Sequence, residues 1–133
     1  LLTRLLDHLG IADAAVVGVR SPHGDIRRPV KAVTADDLGG PYDLILLACK
    51  AYDLDSAMAA IAPALGPDTA VLPLLNGLRH LDALDARFGA ERILGGTCQI
   101  VATLTPDGEI RQFTRLHSLA FGERDGARSA RWW

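Results

Sequence analysis

One rhythm in the sequence limits the allowed folds more than any other feature. Residues 43–49, DLILLAC, form a continuous apolar run, DLDSAMAAIAPAL (53–65) has helical composition, TAVLPLL (69–75) is a second apolar run, and RHLDALDARFG (79–89) is a second helix. Short runs that are apolar throughout, rather than alternating, belong to strands covered on both faces. Strands of this kind alternating with helices of this length build a parallel sheet with right-handed crossovers. Asp53 or Asp55 can cap the first helix, Gly66 can end it, and Gly89 can end the second. Pro63, which lacks an N–H, tightens or breaks the first helix's last turn.

The flanking sequence has a different texture. Leu1, Leu2, Leu5, Leu6 and Leu9 recur at helical spacing and stop at Gly10, which predicts a short amphipathic helix. AAVVGVR then reads as a strand, SPHGD as a turn, and IRRPVKAV as an edge strand, because Pro29 cannot donate to a ladder. Beyond Gly89, the runs RILGGTCQIVATL, EIRQF and HSLAFGERDG have the length and alternation of a β-meander, with Asp107 and Gly108 at a hairpin turn. The sequence closes on two tryptophans with no evident core to enter.

Composition narrows the function classes. The 133 residues are 49% hydrophobic and 23% charged, with a formal net charge of -2, which describes an ordinary globular chain without the basic face of a nucleic-acid binder. Cys49 and Cys98 lack CxxC spacing and sit among apolar residues, so both are expected to be reduced, at least partly buried side chains of a cytoplasmic protein. LLTRLLDHLG is interrupted by Arg4, Asp7 and His8, too short and too charged to span a membrane, and it carries no signal-peptide cleavage pattern.

Chemistry is expected where the two apolar strands end. In an open parallel sheet, ligands bind beyond the carboxyl ends of the strands, and Lys50 and Asn76 each follow one of them. If the strands are neighbours, a cation suited to phosphate or carboxylate stands beside an amide suited to a ribose or carbonyl oxygen. The plain alternative is a lysine leaving the core for water and an Asn-Gly turn. His8, His23, His80 and His117 have no ligand spacing, and Asp36, Asp37, Asp53 and Asp55 suit turns and caps, so a metal site or a carboxylate pair is not expected. Ser21, Ser56 and Ser118 lack a nucleophile-elbow setting.

The stretch from DLILLACKAYDLDSAM to LPLLNGLRHLDALDARFGAERILGGTCQ, followed by DGEI and LAFGERDG, resembles the dinucleotide-binding domain of ketopantoate reductase (2-dehydropantoate 2-reductase). The likeness covers about residues 21–130 and is carried most specifically by CKAYDLDSA, PLLNG and FGERDG. It implies an α/β, Rossmann-like fold: a mostly parallel sheet flanked by helices, with a C-terminal β-meander. It further implies NADP as cofactor, with Lys50 contacting it, Asn76 near the nicotinamide and also touching substrate, and Ala102 lining it through its backbone. The implied activity is NADPH-dependent reduction of a 2-keto acid to a 2-hydroxy acid, ketopantoate to pantoate, in pantothenate and coenzyme A biosynthesis.

Two departures temper that expectation. Residues 1–20 contain no GxGxxG turn to hold a pyrophosphate, and VVGVR has a single glycine. The family's helical C-terminal domain, which supplies the proton-donating lysine, has no counterpart in the sequence. The expectation is therefore a partial dinucleotide-binding domain over 1–133, divergent over 1–20, inactive by itself and with no catalytic residue of its own. The alternative is a noncatalytic nucleotide-binding or interaction module, or a homo-oligomer formed through an exposed sheet edge. Neither nucleic acid nor membrane is an expected partner.

Overall fold

The computed structural model describes residues 15–128. They divide into two compact units, one made of residues 35–97 and 120–128, the other of residues 15–34 and 98–119. The leucine-rich segment 1–9 and the terminal tryptophans lie outside the described residues.

The first unit carries the βαβα rhythm. β3 (Tyr42–Leu47) leads through a 3-10 turn (Ala51–Asp53) into α1 (Leu54–Ile61), a second 3-10 turn (Ala62–Ala64), and β4 (Leu65–Pro73). α2 (Arg79–Phe88) follows, then a third 3-10 turn (Ala90–Arg92). β3 and β4 are parallel neighbours, with Leu44 opposite Ala70 and Leu47 opposite Pro73. Ile93 adds a parallel bridge to Val71, and the Leu94 N–H donates to the Val71 carbonyl at 2.9 Å.

The last residues of β4, Ala70–Pro73, are apolar throughout and all buried. Successive strand residues point to opposite faces. Val71 packs on one side with Leu47, Met58 of α1, Leu84 of α2 and Ile93, while Ala70 and Leu72 pack on the other with Leu94. Thr69, also buried, is satisfied by donating to the Tyr42 carbonyl and accepting from the Gly66 N–H at 2.7 Å.

The helix ends differ from expectation at one point. α1 gives way at Ala62, ahead of Gly66, because Pro63 enforces the tighter turn; Gly66 already belongs to β4. Gly89 does end α2, with φ of 92° and its N–H on the Asp85 carbonyl at 2.9 Å. Arg124, beyond the last strand, pairs with the Asp85 carboxylate at 2.6 Å and ties residues after the sheet to α2.

The second unit is built on a sheet whose strand order is β2 (Ile26–Val30), β1 (Ala15–Arg20), β6 (Ile110–Gly122), β5 (Gly95–Leu104). β2 is an edge strand, antiparallel to β1 with Pro29 opposite Val16, as its proline requires. β1 runs parallel to β6 at Val19 opposite Ile110. Residues 105–109 close the β5–β6 hairpin: the Thr105 N–H donates to the Glu109 carbonyl at 2.8 Å, and Gly108 takes a φ of 84°. The C-terminal strands are thus present, but EIRQF and HSLAFG join into the single long strand β6.

Cys98 corrects the expectation for the thiols. Cys49 is buried and Cys98 is exposed, and both are free. The apolar residues around Cys98 suggested a covered strand, yet Ile100 and Val101, neighbours on opposite faces of β5, are both about half exposed (49% and 51%). No helix among the described residues is long and apolar enough to cross a membrane.

Candidate functional site

Lys50 and Asn76 are brought to the same end of one sheet. The last paired residues of β3 and β4 are Leu47 and Pro73, and the Leu74 N–H donates to the Leu47 carbonyl at 2.9 Å. Each strand then runs three residues further, to Lys50 and to Asn76, and both side chains are exposed. Neighbouring parallel strands therefore deliver one cation and one amide beyond their carboxyl ends.

The backbone on either side is held. Lys50 is extended (φ -82°, ψ 155°), and its carbonyl accepts the Asp53 N–H at 2.9 Å as the chain turns toward α1. After Asn76, Gly77 adopts φ of 80°, and a Cβ there would meet nothing within 4 Å, so this flank of the turn is open. The Leu78 carbonyl accepts the Leu81 N–H at 3.0 Å and opens α2. Between them, Leu54 and Leu81 pack against the core while Tyr52 and Leu78 stay outside, 83% and 75% exposed. Neither Tyr52 nor Leu78 stands out in the sequence, where an aromatic or leucine at a helix start reads as core.

Two buried groups flank the polar pair. Cys49, directly before Lys50, has its thiol pKa pushed up by burial, which keeps it a neutral thiol. His80, in the first turn of α2, is 8% exposed, and burial pushes its pKa down, so it favours the neutral imidazole.

The remaining candidates fall elsewhere. Ala102 lies in β5 in the second unit, with its side chain exposed. Ser56 donates to the Asp53 carbonyl at 2.9 Å and Ser21 to the Gly24 carbonyl at 3.0 Å, local turn bonds rather than nucleophile settings. His23 and His117 lie edge to face, 4.4 Å between ring centres, and both reach the Arg115 carbonyl. Among the described residues no group of three or more His, Cys, Asp or Glu could hold a metal ion.

The donor set at the sheet end suits a nucleotide, since an exposed ammonium serves phosphate oxygens and an exposed carboxamide can both give and accept hydrogen bonds. Comparison with known proteins identifies the family and the fold. The model of the family described as ketopantoate reductase PanE/ApbA matches residues 3–126. The uncharacterized oxidoreductase YkpB of Bacillus subtilis (strain 168) is 33% identical over 113 residues, covering 85% of this chain and 37% of that protein. The crystal structure of 2-dehydropantoate 2-reductase from Geobacter metallireducens GS-15 superposes with a TM-score of 0.76 at 30% identity, covering 86% of this chain and 38% of the other. A D-mandelate dehydrogenase, solved as a ternary structure with NADH and anilino(oxo)acetate, gives a TM-score of 0.69 at 26% identity, covering 83% of this chain and 36% of the other. The chain thus spans little more than a third of the length of the proteins it matches.

Proposed function

The chain belongs to the ketopantoate reductase family, and from that premise we propose that it forms the nucleotide-binding part of an NADPH-dependent reductase that converts a 2-keto acid, ketopantoate in the first instance, to the 2-hydroxy acid. The observation that carries the reading is the exposure of Lys50 and Asn76 beyond two adjacent parallel strands, where a dinucleotide and its substrate meet in folds of this type.

Each residue has a role its chemistry allows. The Lys50 ammonium holds a phosphate or ribose oxygen of the dinucleotide as a mobile point charge. The Asn76 carboxamide orients the nicotinamide end and donates to the keto acid. When bound, NADPH supplies the hydride that reduces the ketone. The presence of NADH in the D-mandelate dehydrogenase structure supports a nicotinamide dinucleotide as ligand, and the choice of NADPH rests on the family.

Calorimetric titration of the full chain with NADPH tests the reading. Lys50→Ala is expected to weaken binding by about 1–3 kcal/mol, the range for losing a hydrogen bond to a charged group. Equal affinity of the wild type and Lys50→Ala, or no binding by either, would remove Lys50 and this sheet end from the function.

A further inference from the structure

We propose that Tyr52 and Leu78 are the apolar walls of this site, against which a flat heteroaromatic ring of the dinucleotide packs; the inference rests on the dinucleotide reading and adds a recognition element to it. Among the described residues they are the most exposed large apolar side chains, at 83% and 75%, and the next reach 57%. A single exposed leucine or tyrosine needs no explanation. Two of them at matched positions do.

The match is one of register. Leu47 and Pro73 are opposite each other at the end of the β3–β4 pair. Counting on from each, the third residue is the polar one, Lys50 or Asn76, and the fifth is the apolar one, Tyr52 or Leu78. Both loops therefore present the same order, polar group first and apolar group two positions later. The backbone bonds from Asp53 to Lys50 and from Leu81 to Leu78 hold both as turns. At both helix starts the core contacts are made by Leu54 and Leu81, and Tyr52 and Leu78 take no part in them.

A dinucleotide offers the complementary surface. Its phosphates and riboses need a cation and an amide, and its rings need a flat apolar support. Tyr52 supplies a rigid aromatic face at low entropic cost, and Leu78 a side wall. The ring's source is adenine or nicotinamide, and the two differ in which half of the cofactor depends on Tyr52.

The test is calorimetry on the full chain with three probes: NADPH, adenosine 2′,5′-bisphosphate and reduced nicotinamide mononucleotide. Tyr52→Ala is expected to weaken NADPH binding roughly 5- to 100-fold, the scale of one base stacked on an aromatic side chain. Tyr52→Phe, which keeps the face and loses only the hydroxyl, should bind as the wild type does, and Leu78→Ser should bind more weakly. Whichever half-cofactor loses affinity in Tyr52→Ala identifies the ring. Both side chains are exposed, so unchanged melting temperatures are expected and separate a binding loss from unfolding. Wild-type affinity in Tyr52→Ala and Leu78→Ser, together with a loss in Lys50→Ala, overturns the apolar walls and leaves the dinucleotide site standing. A loss in Tyr52→Ala that Tyr52→Phe fails to rescue also overturns the stacking role. Absence of NADPH binding by the wild type removes the site and its walls together.

Discussion

The Leu74 N–H reaches the Leu47 carbonyl at 2.9 Å, which keeps β3 and β4 in step up to the point where each leaves the sheet. This bond sets the spacing of the two loops that carry Lys50 and Asn76, so the candidate site is positioned by rigid strands rather than by the loops themselves.

Asn76 gives a prediction with a direction for each substitution. Asn76→Ala should weaken NADPH binding by about 0.5–1.5 kcal/mol, the net worth of one neutral hydrogen bond. Asn76→Asp should weaken it more, because a carboxylate repels the cofactor's phosphates. Fluorescence titration of the reduced nicotinamide measures both, and tighter binding by the aspartate variant would refute the placement.

At Gly40 an added side chain would meet backbone, not a side chain that could move aside. A Cβ there would stand 2.8 Å from the Ala64 Cα and 3.0 Å from its carbonyl oxygen, backbone atoms that cannot rotate away. Gly40→Ala should therefore cost about 1–3 kcal/mol, as overpacking does. At Gly39 a Cβ meets nothing within 4 Å, so Gly39→Ala is the matched control and should be close to neutral. Urea unfolding of the two variants decides it; equal midpoints would show that the Gly40 contact relaxes freely.

The two thiols should separate in reactivity. Cys98 is exposed, while Cys49 is buried with its pKa raised, and the thiolate is the reacting species. In native protein a thiol reagent should label Cys98 quickly and Cys49 only on unfolding. Mass spectrometry of partly labelled protein reads the order directly, and early labelling of Cys49 would contradict the burial of the β3 end.

His80 makes stability depend on pH. Burial lowers its pKa below the ordinary value near 6.5, so the unfolded chain takes up the proton at a higher pH than the folded one. Its contribution is therefore fully present above about pH 6.5 and is lost as pH falls through the folded pKa. His80→Gln should flatten this part of the stability profile in chemical denaturation from pH 7 to 5, and an unchanged slope would assign the loss to other groups.

The sheet end was legible in the sequence for a physical reason. A strand buried on both faces must be apolar, and Ala70–Pro73 of β4 obey that rule, whereas β3 carries the same kind of apolar run with Leu46 left 57% exposed. The runs still marked the two strands, and Lys50 and Asn76 stood out as the first polar groups after them. What could not be read depends on neighbours far away in sequence. Polar Thr114 and Arg115 looked like a break between strands, yet both sit within β6, where exposure on either face tolerates them. Cys98 looked buried because it sits among apolar residues, which cannot tell whether anything covers the strand. Nothing in the sequence marks Tyr52 as exposed; that follows only from the packing, in which Leu54 joins the core and Tyr52 does not.

The pairing of Val19 with Ile110 dictates when each part of the chain can form. Residues 35–97 of the first unit are strung between the two halves of the second, so β1 finds β2 nearby but must wait for its other neighbour, β6, nearly the whole described chain away. Ordering β3 beside β4 first shortens the loop that β1 and β6 have to close, and each halving of a loop recovers about 0.6 kcal/mol of closure entropy. The βαβα unit is thus placed to act as a folding nucleus, with the β1–β6 seam the last to lock and the first to open. Pulsed hydrogen exchange during refolding should protect Val71 and Leu72 before Ile110 and Arg111, and the reverse order would show that the seam nucleates instead.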